Sequence, residues 1–198
     1  MLAQLRPALV LVVLFTILTG LALPLGFTGL AGAVFPRQAG GSLVERDGKV
    51  VGSALLGQAF TQDKYFQGRP SATVTQDPEH PDDSTKTIPA PYNAGNSGAS
   101  NTGPTSKALV ERVTPDVEKA GPKPVPGDMV TTSASGLDPH ISPANAERQV
   151  ARVATARNIP EDRVRALLAE NTAGRLLGLI GEPRVDVLAV NMALDAAR

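Results

Sequence analysis

The chain has 198 residues, with 19 lysines and arginines against 19 aspartates and glutamates, a balance that excludes a net field drawing it to nucleic acid or to an anionic membrane surface. Nineteen glycines and 17 prolines, beside five phenylalanines, two tyrosines and no tryptophan, predict a loop-rich domain with a small aliphatic core. The absence of cysteine fits an exported domain built without disulfides.

The first element sets the location of the rest. Residues 6–35, RPALVLVVLFTILTGLALPLGFTGLAGAVF, carry no charge after Arg6, and the next is Arg37. At about 1.5 Å rise per residue, residues 8–25 form a helix roughly 27 Å long, close to the hydrocarbon thickness of a bilayer. The rival is a cleaved secretory signal, with Arg6 as its basic end and Ala31-Gly32-Ala33 as the peptidase site. The apolar run outlasts an ordinary signal core of roughly 7 to 15 residues and the small-residue site lies well beyond it, so a retained membrane anchor is the reading taken. Thr16 and Gly20, then Gly26, Gly29 and Gly32, offer small side chains to another helix, although such residues are common in membrane segments generally. Arg6 and the N-terminal amine on one flank, against Arg37 on the other, place the N-terminus in the cytoplasm and the bulk of the chain outside. The expected division is an anchor over residues 1–35 and a soluble extracytoplasmic domain over 36–198, long enough for one core.

Residues 42–53, SLVERDGKVVGS, read as a hairpin around Asp47-Gly48. Residues 54–72 mix apolar side chains with Tyr65 and Phe66 before a turn at Gly68-Arg69-Pro70, where Arg69 pairs with a carboxylate or a partner, or is simply solvated. The acidic, proline-rich stretch 73–90 has no apolar periodicity and is expected to be a mobile loop. His80, alone among Glu79, Asp82 and Asp83, lacks metal-ligand spacing. In residues 91–103, PYNAGNSGASNTG, a phosphate loop fails because Pro104 stands where its lysine belongs; a structured turn anchored by Tyr92 accounts for the stretch better.

Leu109, Val113 and Val117 predict a helix over 106–120, strained or split at Pro115. A stiff connector over 121–127 leads to a short strand over 128–132. Residues 133–143, SASGLDPHISP, group Ser133, Ser135, Asp138, His140 and Ser142, types that suggest nucleophilic chemistry but lack the strand–GxSxG–helix elbow. The structural alternative is that Asp138-Pro139 opens a turn and Ser142 caps a helix. Amphipathic helices follow over 143–157, with Arg148, Arg152 and Arg157 on a solvated or partner-facing side, and over 160–171. An apolar link over 176–183 precedes a buried strand over 184–190 and a short terminal helix. The fold class is α+β: one transmembrane helix, then a loop-rich domain of short strands and amphipathic helices.

Several blocks together carry a resemblance: RPAL from Arg6, VGSALLGQAF from Val51, YFQGRPSA from Tyr65, PYNAGNSGASN from Pro91, VTTSASGLDPHISP from Val130 and RVDVLAVNMALD from Arg184. With them the chain resembles, nearly end to end, the C subunits of the Kdp potassium-transporting P-type ATPases; its acidic loop over 75–90 is longer than the family's usual link. The resemblance implies a non-catalytic accessory subunit of a potassium import complex in the cell membrane, beside a channel-like potassium-binding subunit, an ATP-hydrolysing P-type subunit and a small single-span subunit. It also implies an assembly role and a catalytic-chaperone role that raises the ATP affinity of the ATPase subunit, with ATP and potassium handled by the complex and no cofactor bound covalently. The alternative is a cap or gate at the potassium entrance with no nucleotide role. Arg69, Tyr92, Asn93, Asn101, Ser135, Asp138 and His140 are the candidate partner contacts. An enzyme would need a site these residues do not form, and a free secreted binding protein would need cleavage near Ala33.

Overall fold

The computed structural model describes residues 2–197, which fall into two compact units divided between Val51 and Gly52. In the first unit, α1 (Leu2–Ile17), a π-helical turn (Leu18–Ala22) and α2 (Leu23–Val34) run on without a break. Within them Ala3–Val34 has a mean hydropathy of 2.6, long and apolar enough to cross a membrane. The wide turn precedes Pro24, which has no N–H for the carbonyl of Gly20; Leu23 donates five residues back, to the carbonyl of Leu18. A short α3 (Pro36–Ala39) leads to the expected hairpin, β1 (Leu43–Arg46) with β2 (Lys49–Ser53). Asp47 and Gly48 both take positive φ, +53° and +73°, as a two-residue turn matched to strand twist requires.

The core of the second unit is made by its last third. α6 (Pro143–Arg157) supplies Ala146, Val150, Val153 and Ala154 from one face, α7 (Glu161–Glu170) supplies Val164, Leu167 and Leu168, and α8 (Val187–Ala196) supplies Val187, Val190 and Leu194. Ser142 caps α6 by accepting from the Asn145 N–H at 3.1 Å, and Asn158 ends it in the left-handed conformation. A small antiparallel sheet lies in the order β5 (His140–Ile141), β7 (Arg184–Asp186), β6 (Thr172–Ala173), with Ile141 opposite Val185 and Thr172 opposite Val185 on the other side. Phe66, wholly buried, joins this cluster from the loop region.

Four expectations need correction. The acidic stretch is organised as a hairpin: β3 (Val74–Gln76) pairs with β4 (Thr87–Pro89), Val74 opposite Pro89, and its tip is shaped by carboxylates. Asp77 Oδ1 accepts from the Glu79 N–H and Asp83 Oδ1 from the Thr85 N–H, so local polar bonds do what apolar burial does not. α4 (Lys107–Lys119) passes through Pro115 as one helix; none of its residues is buried, so water can reach the carbonyl that the proline leaves unbonded. Residues 127–130 form a helical turn, α5 (Gly127–Val130), instead of opening a strand, because Asp128 is held by the start of α6: its carboxylate accepts from the Ser142 N–H, the Ser142 hydroxyl and the Asn145 amide at 2.7, 2.8 and 3.0 Å. The strand expected over 184–190 stops at Asp186, whose carboxylate accepts from the Ala189 N–H at 2.9 Å and so starts α8.

Candidate functional site

The irregular half of the domain is docked onto the helices by side chains that imitate a strand. The Phe66 N–H donates to Asn191 Oδ1 at 2.8 Å and its carbonyl accepts from Asn191 Nδ2 at 2.9 Å. The next residue repeats the arrangement with Gln149, at 2.8 and 3.0 Å. Arg152 donates to the carbonyl of Asp63, and Arg157 to that of Lys64 and to the Asp195 carboxylate. The arginines read as a solvated face, Arg148 included, are thus spent on backbone carbonyls of neighbouring segments.

On this base, the blocks GRPSA, YNAGNSG and SASGLDPH meet in one polar knot. Arg69 is its hub: Nη1 donates to Asp138 Oδ2 at 3.2 Å, Nε to the Thr131 carbonyl at 3.3 Å and Nη2 to the Thr132 carbonyl at 3.1 Å. The carbonyl of Arg69 accepts from the Tyr92 hydroxyl at 2.6 Å. Tyr92, at φ +60°, lays its ring where a Cβ on Gly57 would stand and its hydroxyl where one on Gly68 would stand, so glycine suits both positions. Ser71 Oγ donates to the Gly136 carbonyl at 2.7 Å, and the Tyr92 N–H donates to Ser71 Oγ at 3.1 Å. Thr73 Oγ1 donates to the Ala90 carbonyl and accepts from the Asn93 N–H, while Asn93 Nδ2 donates to the Val74 carbonyl. The Gly98 N–H and the Ser97 hydroxyl both donate to the Ser135 carbonyl.

The candidate residues therefore fare differently. Arg69, Tyr92, Asn93, Ser135 and Asp138 lie in the knot, and His140 flanks it with Nδ1 3.5 Å from Asp138 Oδ1. Asn101 stands exposed at φ +52° and makes no side-chain hydrogen bond among the described residues. Ser135 Oγ accepts from the Leu137 N–H at 3.1 Å, a turn bond. Among the described residues neither Ser133 nor Ser135 hydrogen-bonds His140, whose ring and N–H both address Asp138. Contacts from the His140 ring and N–H and from the Arg69 guanidinium hold the Asp138 carboxyl at about 2, against the burial that would raise it. Burial first, then the Asp138 charge, push the Tyr92 phenol up to about 12. Ser71, Thr73, Gln149 and Asn191 carry as much of this arrangement as the named candidates, and only their small polar character inside otherwise apolar or turn-rich stretches hinted at it.

Two open depressions border the knot. One of about 500 Å³ runs past Phe60, Gln67, Arg69, Tyr92 and Lys119. The other, about 400 Å³, is lined by Asp138 and His140, by Asp128 and Ser142, and by Glu182 and Arg184. What this geometry offers is a rigid, hydrogen-bonded surface with charged slots.

Comparison with known proteins identifies the family. The family described as KdpC, K+-transporting ATPase, c chain, matches residues 5–196. The chain is 62% identical to the potassium-transporting ATPase KdpC subunit of Bradyrhizobium diazoefficiens, over 100% of this chain and 98% of that one. It is 60% identical to the protein of the same name from Rhodopseudomonas palustris strain BisB18, over 100% of both, and 63% identical to that of Methylobacterium nodulans, over 98% of each. With a family match over nearly its whole length and relatives at about 60% identity, the chain belongs to the KdpC family of K+-transporting ATPase subunits.

Proposed function

We propose that the chain is the single-span accessory subunit of an ATP-driven potassium import complex, with its N-terminus in the cytoplasm and its soluble domain outside. There it supports assembly and raises the ATP affinity of the ATP-hydrolysing P-type subunit. Potassium is handled by a channel-like subunit, ATP by the P-type subunit, and a small single-span subunit completes the complex. The observation that carries this reading is the joining of one apolar 32-residue helix to a domain whose polar side chains are consumed in holding its own backbone. Such a domain suits a non-catalytic role in which a fixed surface meets partner subunits, with Asn101 and Ser135 on its exposed side.

A domain outside the membrane does not touch cytosolic ATP, so its effect travels as a coupling between states of the membrane subunits, a factor of about 5 to 150 in affinity for ordinary allosteric couplings. The test is ATPase activity against ATP concentration for the complex purified with and without this chain, alongside ATP binding to the purified chain alone. The expected result is a higher KM for ATP without the chain and no binding by the chain itself. Tight ATP binding by the isolated chain, or an unchanged KM, overturns it. The charged slot, where Asp128, Asp138 and Glu182 stand beside Arg69 and Arg184, is the surface behind a second reading, a cap over the potassium entrance; in that case removal of the chain alters potassium dependence and leaves the KM for ATP alone.

A further inference from the structure

Between β6 and β7, residues 174–183, GRLLGLIGEP, fold into a closed tip. The Leu176 N–H donates to the Ile180 carbonyl at 2.9 Å and the Ile180 N–H returns to the Leu176 carbonyl at 3.0 Å. Arg175 Nη2 reaches both carboxylate oxygens of Glu182, at 2.9 and 2.7 Å, and closes the base. Leu177 and Gly178 sit at φ +54° and +74°, and a leucine in that region is strained. The tip holds four aliphatic side chains in water: Leu177 is 85% exposed, Leu179 82%, Leu176 65% and Ile180 62%, more than any other large apolar residue described outside the membrane helix. Backbone strain and apolar exposure are both unfavourable in the free chain, and burial of the tip offsets them together.

We propose that this tip is the knob by which the soluble domain seats in an apolar socket on an extramembrane face of a partner subunit, an inference that rests on the subunit reading above. A bilayer is the poorer match. Arg175 is neutralised by Glu182, the ten residues carry no net charge, and they contain no aromatic side chain, whereas interfacial segments combine free cations with tryptophan or tyrosine. A second copy does offer an open apolar depression on α4, lined by Leu109, Val110, Val113 and Val117, but a knob seated there is a head-to-tail contact that runs on into rings or open chains of copies. A partner surface fits better, because the descending limb, Glu182 to Arg184, also lines the 400 Å³ slot beside Asp138 and His140. An apolar centre bordered by charged, partly exposed groups is the anatomy of a protein–protein interface.

The chain contains no cysteine, so Leu177→Cys supplies a unique thiol, and Leu179→Cys a second in case the first weakens assembly. Each full-length variant is coexpressed with partner subunits freed of reactive cysteine, purified as the complex and reconstituted into vesicles. Alkylation by a charged maleimide is expected to slow about tenfold relative to the isolated chain in detergent, as burial of an exposed site does. Brominated lipids are expected not to quench a fluorophore at the site. An unchanged alkylation rate in an assembled complex overturns the proposal, as does quenching by brominated lipid, which means bilayer insertion. Protection that appears in the isolated chain as its concentration rises means a second copy and overturns it too. If the wild-type chain fails to copurify with any partner subunit, the subunit reading falls and the knob with it; if the chain copurifies and position 177 stays open, only the knob falls.

Discussion

Asn191 completes the backbone of Phe66, donating to its carbonyl and accepting from its N–H, at a site where Phe66 is wholly buried and Asn191 is 1% exposed. No water reaches either group, so the amide is the only partner they have among the described residues. Asn191→Ala leaves a buried donor and a buried acceptor unmet and is expected to cost about 3 kcal/mol. Urea denaturation of the full chain in detergent measures it, as a fall in the midpoint at constant slope.

Tyr92 and the two glycines beneath it form a second lock. Gly57→Ala drives a methyl into the Tyr92 ring and to within 2.9 Å of the Asp138 carbonyl, and is expected to cost about 2 kcal/mol. Tyr92→Phe loses only the bond to the Arg69 carbonyl, about 1 kcal/mol. Because ring and methyl contend for one space, a double variant that also shrinks Tyr92 to leucine recovers part of the Gly57→Ala loss, and non-additive melting temperatures record it.

Asp138 makes the domain acid-sensitive. Its carboxyl is lowered from 3.8 to about 2 in the folded chain, so the stabilisation is fully present above pH 4 and is lost as pH falls from about 4 towards 2. The loss is on the order of 1 to 2 kcal/mol after allowance for partial exposure. Thermal melts at pH 6 and pH 3 are expected to separate less for Asp138→Asn than for the wild type.

Retention of the apolar helix is checked by intact mass of the chain extracted from membranes, which is expected to include residues 6–35. Deletion of residues 1–35 is expected to release the chain into the aqueous fraction after carbonate washing, since no other described helix is long and apolar enough to cross a bilayer.

α6 and α7 were legible because each carries its signal within itself: apolar residues three and four apart, Ser142 and Pro143 at one start, Glu161 and Asp162 at the other. The β1–β2 hairpin was legible through Asp47-Gly48. The β3–β4 hairpin was not, because ladder bonds and carboxylate turns leave no apolar periodicity to read. In the site, Arg69 was recognisable as a residue able to find a carboxylate, but not that the carboxylate is Asp138, 69 positions on. Gln149 and Asn191 draw no reading from the sequence, because their purpose depends on a segment 82 and 125 residues away. Leu176 to Ile180 read as an apolar link because composition alone does not tell a buried turn from a displayed one.

The pairing of Phe66 with Asn191 also sets an order of events during synthesis. α8 follows every other described element of the chain, so the ribosome has released the apolar helix, both hairpins and all the middle loops before the amide that fastens Phe66 exists. Until then the segment around Phe66 has only the Gln149 amide and the arginines of α6 to hold it, and the nascent domain waits, tethered and half-fastened, for α8.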